Sequence, residues 1–277
     1  MERRHPDGIE RSIEHNLTMI KEAGFDGIST SCIDPTRVAL IARALAGTGL
    51  AVEGMCFPQT IDDLKAAIDL GRQLGASHLN VQLEVRPRRV ADCIPLLEGW
   101  IRLTQEAGMP IYFETHRNRM TTDLLFTLDL IDQVPEMRML ADLSHVLLGR
   151  GFSYPISDED EDEDEALVRQ VLDRTWAFHG RVASREQIQV EITFPQHKLW
   201  LYLFLRWWEY GFKRGGADAL LSFACEFGPR PYAITDREGN DTTDRWEEAL
   251  LIKSLVRDLF DRTAVDAQLS LEQGSHA

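Results

Sequence analysis

Residues 109–116 read MPIYFETH. The apolar run has the length of a buried strand, yet it ends in Glu114 and His116, a carboxylate and an imidazole that core packing alone does not call for. Three later runs end the same way. RMLADLSH at 138–145 carries Asp142 and, three residues on, His145; TWAFHGRVAS at 175–184 carries His179 and Arg181; ALLSFACEF at 219–227 carries Glu226. Residues two apart on a strand share a face. Leu220, Ser222, Ala224 and Glu226 therefore share one face, and Leu221, Phe223 and Cys225 the other. The same parity links Leu140 with Asp142, Ala177 with His179 and Arg181, and Tyr112 with Glu114 and His116.

Around these runs the chain alternates. IERSIEHNLTMIKEAG has helical spacing, FDGIST reads as a strand, and Asp34-Pro35 opens a second helix as cap and first-turn proline. LAVEGMCF and ASHLNVQL are strand-like, each followed by a helical stretch, with Pro95 an irregularity in the second. TTDLLFTLDLIDQVP reads as a helix from a Thr cap, EDEALVRQVLDR as another, and KLWLYLFLRWWEYGFKRGG as a long apolar one. DRWEEALLIKSLVRDLFDR closes the series. Alternation of this kind predicts βα units on a parallel sheet, either open and doubly wound or closed as a (β/α)8 barrel. No Gly-rich phosphate fingerprint follows any strand, which disfavours the open nucleotide-binding sheet. Seven strands and eight helices are visible, with a helix first. The expectation is one TIM-barrel domain over 1–277 that lacks its first strand, the native start lying upstream of Met1, and a tail that frays from about 266.

In such a barrel the C-terminal strand ends form the mouth. Glu114, Asp142, His179 and Glu226 could then converge, and three carboxylates beside one imidazole repel one another unless a cation sits between them. Such a set suits Mn²⁺, Mg²⁺ or Co²⁺, with Zn²⁺ also possible. The alternative is that each acid only caps the following helix.

Composition narrows the function. The net charge is −15, of which eight charges lie in the run DEDEDEDE at 158–165. With or without that run the balance argues against a nucleic-acid partner. The run reads as a solvated loop entering a helix N-terminus, which favours acids. No apolar stretch is long enough to span a bilayer, and MERRHPDGIE lacks a signal-peptide core. Cys32, Cys56, Cys93 and Cys225 are scattered, as expected of reduced thiols in a cytoplasmic protein. His5 reads as a disordered terminal residue, His197 as a loop residue, and Glu191 in QIQVEITF as a mouth residue that could touch substrate. The apolar helix 198–216 suggests a subunit interface and hence a homo-oligomer, or packing within one chain.

The order Glu, Asp-x-x-His, His, Glu resembles the xylose-isomerase-like barrel superfamily, the sugar phosphate isomerases and epimerases among them. ETHR at 114–117, ADLSH at 141–145 and FHGRV at 178–182 carry the resemblance over roughly residues 8–262. It implies one divalent metal, Mn²⁺ first, held by Glu114, Asp142, His179 and Glu226. It also implies isomerisation or epimerisation of a sugar, sugar phosphate or related polyol through a metal-stabilised enediolate. Glu114 and Glu226 would move the proton, and His145 and Arg181, with Arg185 as a second candidate, would contact substrate oxygens. A glutamate usual in ketose 3-epimerases soon after the first ligand is missing from THRNRMT. His116, Arg117 and Arg119 stand there instead, suited to a carboxylate or phosphate or to a solvated loop. A dehydratase on the same scaffold and a non-catalytic metal- or sugar-binding barrel are the alternatives, and the nuclease branch of the superfamily is disfavoured by charge and by only eight histidines.

Overall fold

The structure, a computed structural model, describes residues 9–152, 163–215 and 220–274. His5 and the acidic residues 158–162 lie outside the described residues. The chain forms two compact units, residues 1–140 and 141–277.

The first unit alternates α1 (Ile13–Glu22), β1 (Gly27–Ser31), α2 (Pro35–Leu45), β2 (Ala51–Cys56), α3 (Ile61–Leu74), β3 (His78–Val81), α4 (Val90–Ala107), β4 (Ile111–Glu114) and α5 (Leu124–Gln133), and β5 (Met139–Ala141) begins in it. Local chemistry sets these boundaries. Asp34 caps α2 ahead of Pro35, and Thr60 and Asp63 form a reciprocal capping box on α3, leaving few amide donors unmet. The cap of α5 is Asp123, accepting from Phe126 N–H, and not a threonine: the carboxylate is the stronger acceptor at the positive end of the helix. Pro95 lies inside α4 without ending it.

The ladders β1–β2, β2–β3, β3–β4 and β4–β5 are all parallel. A Cβ on Gly71 of α3 would lie 2.8 Å from Leu79, so α3 rides close on that face of β3. Period-two alternation then turns His78 and Asn80 to the opposite face. On that face Ser29 pairs with Glu53, Glu53 with His78, and Asn80 with Tyr112 in register.

The second unit holds α6 (Leu143–Arg150), α7 (Glu163–Leu172), β6 (Thr175–Gly180), a 3-10 turn (Pro195–His197), α8 (Lys198–Gly215), β7 (Ser222–Cys225) and α9 (Arg245–Gly274). Helix α6 was not expected: its LSHVLLGR sequence is too short and too evenly apolar to show helical spacing, and the strand ahead of it is only three residues long. The backbone of α9 is helical to Gly274. Of the acids that open α7, Glu163 is exposed as expected, whereas Glu165 is buried and paired with Arg169 and Arg206.

Helix α8 buries Phe204, Trp207, Trp208 and Phe212. Trp208 meets Phe223 edge-on at 5.0 Å, Trp207 meets Phe152 at 5.6 Å, and Phe212 meets Phe178 at 5.3 Å. The apolar circumference of α8 is thus largely used inside this unit, leaving Leu199 and Tyr202 exposed. A Cβ on Gly211 would lie 2.5 Å from Phe178, so Phe178 faces α8 and its neighbour His179 faces away.

The strands follow one another in the sheet in chain order, β1 to β7. With a helical connection after each strand, this is the (β/α)8 TIM-barrel fold lacking one strand, seven being present among the described residues. The outer strands show what a missing neighbour leaves: Gly27, Ser29 and Ser31 on β1 are half-buried, as is all of β7.

Candidate metal centre

In the first unit, Glu114 is the last residue of β4 and is fully buried. Two amides from β3 and its continuation hold one oxygen. Asn80 Nδ2 donates to Oε2 at 2.5 Å and Gln82 Nε2 donates to the same Oε2 at 3.0 Å. Thr121 Oγ1 donates to the Glu114 carbonyl, which pins the backbone at the strand end. His116 lies in the following loop, partly exposed, with Nδ1 2.7 Å from the Arg117 carbonyl. Arg119 pairs with Glu84 at 3.7 Å and stacks on Phe57, so it is less available to a ligand than its place in THRNRMT suggested.

Below Glu114 on the same face runs a second polar chain. Ser29 Oγ donates to Glu53 Oε1 at 2.7 Å, Glu53 Oε2 lies 3.0 Å from His78 Nε2, and His78 Nδ1 lies 3.0 Å from Ser77 Oγ. Glu53, His78, Asn80 and Gln82 did not figure among the candidates from sequence. The signal was present in HLNVQL, where polar residues recur every second position.

The second unit gathers Asp142, His145, His179, Arg181 and Glu226. Asp142 follows β5 directly and caps α6, taking Ser144 N–H at 3.0 Å and Ser144 Oγ at 2.5 Å on Oδ1. The capping alternative therefore holds for this residue, but it uses only one of its two oxygens. Capping also sets His145 within the first turn of α6 instead of on a strand, with Nε2 3.5 Å from Asp142 Oδ2. Glu226 N–H donates to the Gly180 carbonyl at 3.0 Å, which fixes Glu226 beside β6. His179 Nδ1 lies 3.0 Å from Glu226 Oε2.

Arg181 lies at the centre of this group and is 1% exposed. Its Nη2 contacts Asp142 Oδ2, and it lies 3.2 Å from Glu226 Oε2 and 3.3 Å from His145 Nε2. Its Nε donates to Ser144 Oγ at 3.0 Å, and the Tyr232 ring lies 5.0 Å from Cζ. Burial alone would raise the carboxyl of Asp142, but the adjacent guanidinium holds it well below the usual carboxylate range. Glu226 follows the same balance: burial pushes it up, and Arg181 and then His179 bring it below its ordinary value. Both acids are thus anions at neutral pH. Arg185 is half exposed and pairs with Glu186 at 2.9 Å, apart from this group.

Two carboxylates kept ionised beside two imidazoles form a donor set that fits a divalent cation, hard oxygens with borderline nitrogens. Glu191 has another role. Its carboxylate takes Thr193 and Phe194 N–H and the Thr193 hydroxyl, holding its own turn. His197 Nδ1 lies 2.6 Å from the Glu191 carbonyl.

No family model matches the sequence, and no curated protein matches it. Solved structures do match. A xylose isomerase-like TIM barrel protein from Mycobacterium smegmatis, in complex with magnesium, is 15% identical with a TM-score of 0.57, covering 94% of each chain. A sugar phosphate isomerase/epimerase from Parabacteroides distasonis is 12% identical with a TM-score of 0.57, covering 91% of this chain and 89% of the other. D-psicose 3-epimerase, solved in the presence of D-fructose, is 14% identical with a TM-score of 0.54, covering 90% and 94%. The chain has the fold of the xylose isomerase-like TIM barrels. No helix among the described residues is long and apolar enough to cross a membrane.

Proposed function

We propose that the chain is a divalent-metal-dependent isomerase or epimerase of a sugar, sugar phosphate or related polyol, its two units acting as one barrel domain. The observation that carries this reading is the group at the ends of β5, β6 and β7, where buried Asp142 and half-buried Glu226 stay ionised beside buried His145 and His179. Glu114 at the end of β4 joins them in the proposal on the order of the strand endings in the sequence, Glu, Asp-x-x-His, His, Glu. Glu114, Asp142, His179 and Glu226 would hold the metal. A divalent metal bound there supplies Lewis acidity toward two neighbouring substrate oxygens. The magnesium of the Mycobacterium smegmatis neighbour is consistent with such an ion, and Mn²⁺ is our first choice.

The protein's own groups do the rest. Glu226, held as a carboxylate, takes the proton from the carbon beside the substrate carbonyl, and Glu114 returns it from the other side. Either base must come within about 3 Å of the carbon-bound proton's path. Asn80 and Gln82 keep Glu114 oriented for that step. His145 and Arg181 face the substrate oxygens, and His116 and Arg185 bind its outer end. A second copy covering Leu199 and Tyr202 of α8 would make the homo-oligomer, which light scattering reads.

The test is deuterium incorporation. A panel of ketoses and their phosphates is incubated in deuterated water with added Mn²⁺, with chelator, and with the Glu226→Gln variant. Product of unchanged formula that carries deuterium, lost on chelation and in the variant, supports the reading. A product lighter by one water moves the activity to a dehydratase, the reaction named for one structural neighbour at a TM-score of 0.50. No metal-dependent change in any substrate sinks it.

A further inference from the structure

The contacts of Arg181 are unusual for arginine. Its common mode with a carboxylate is a fork, two nitrogens on two oxygens. Here a single nitrogen, Nη2, touches an oxygen of Asp142, an oxygen of Glu226 and a nitrogen of His145. Nη2 carries two hydrogens, so it cannot give each of three acceptors a full hydrogen bond. Two anionic oxygens and an imidazole nitrogen around one positive point are instead the surroundings of a small cation. The side chain is also anchored from behind, by Nε on Ser144 Oγ and by the Tyr232 ring against the guanidinium.

We propose that Arg181 is a resident counter-ion at the candidate metal centre: it holds Asp142 and Glu226 together when no divalent cation is bound and must withdraw Nη2 when one binds. The proposal rests on the metal-centre reading above and adds to it that the protein sets its own metal affinity through this side chain. Two cationic groups cannot share the same oxygens at about 3 Å without strong repulsion. Binding of the metal and release of Arg181 are therefore linked, and each opposes the other's partner. It also follows that the metal-free protein keeps its fold, since one positive charge already stands between the two anions and offsets part of their repulsion.

The test is Mn²⁺ titration by calorimetry on the full chain, with melting curves in excess chelator and in excess Mn²⁺. Wild type is compared with Arg181→Met, which keeps length and loses charge, and with Arg181→Lys, which keeps charge and loses the Ser144 anchor. Removal of a competing charge at this distance is expected to tighten Mn²⁺ binding at least about tenfold in Arg181→Met, and loss of the Ser144 anchor, which frees the retained charge to withdraw, to tighten it several-fold in Arg181→Lys. Wild type should keep its fold in chelator and gain less melting temperature from Mn²⁺ than Arg181→Met, which should melt well below wild type in chelator and recover with Mn²⁺. If Arg181→Met does not fold without metal but folds with it, that is the same result in stronger form; if it folds under neither condition, Arg181→Lys decides. Mn²⁺ binding to wild type with no tightening in the variant that folds overturns the role of Arg181 and leaves the metal centre standing. No Mn²⁺ binding in wild type or in either folded variant overturns the metal centre and the counter-ion together.

Discussion

Replacing Asn80 with Leu isolates what holds Glu114. Both residues are fully buried, so no water can take over a lost hydrogen bond. The Asn80 amide is one of two donors on Glu114 Oε2, the other being Gln82. A hydrogen bond to a charged group is worth about 1.5–3 kcal/mol. Leucine keeps the branched shape of asparagine but is larger, so overpacking adds to this loss and the figure is a lower bound. For a chain of this size each kcal/mol moves the melting temperature by about 2–4 °C, giving a drop of roughly 3–12 °C. Urea unfolding at pH 7 should show the same loss with an unchanged slope. The freed carboxylate can also rotate, and loss of such an orienting partner typically weakens metal affinity by about 10–100-fold. A destabilisation below about 0.5 kcal/mol would show that the amide does not bear on the carboxylate. A full loss of stability with unchanged Mn²⁺ affinity would show that it does, but that Glu114 is no ligand.

Three further outcomes are expected. Glu53 and His78 form a buried pair at 3.0 Å, so Glu53→Met and His78→Leu should each cost about 3–5 kcal/mol while the double variant costs much less than their sum, and strict additivity in urea unfolding would refute the pairing. Burial, and after it the Glu191 carboxylate, pushes the Glu248 carboxyl up to about 7, so the folded chain keeps a proton that the unfolded chain releases near 4.5. That contribution to stability is complete below 4.5 and is lost as pH rises through 7, so Glu248→Gln should gain melting temperature over wild type at pH 8.5 and not at pH 4; an equal gain at both would rule this out. Gly180→Ala should cost about 1–3 kcal/mol through overpacking, because its Cβ would fall 2.0 Å from the Phe223 ring, and pairing it with Phe223→Leu should restore most of the loss in the same assay.

Much of the fold is legible from residue order. The strand-helix alternation and the cap at Asp34 act over a few residues, where propensity and hydrogen bonding are local. Parity along β6 and β7 likewise separates His179 and Glu226 from Phe178 and Phe223, because alternation is built into an extended backbone. Helix α6 was hidden, since Asp142 reads equally as a strand end and as a cap. The aromatic side of α8 looked like an interface because its partners Phe152, Phe178 and Phe223 are 15 to 55 residues away along the chain.

The sequence by itself determined that acids and imidazoles stand at successive strand ends, because that depends only on order and period. Which atoms meet there was decided by the tertiary structure. Asn80 and Gln82 reach Glu114 from a strand some thirty residues earlier, and Arg181 places one nitrogen among Asp142, His145 and Glu226, residues 36 to 45 positions distant. Such contacts arise from the register of parallel strands and the entry angle of a capped helix. Neither leaves a local mark on the residues it joins.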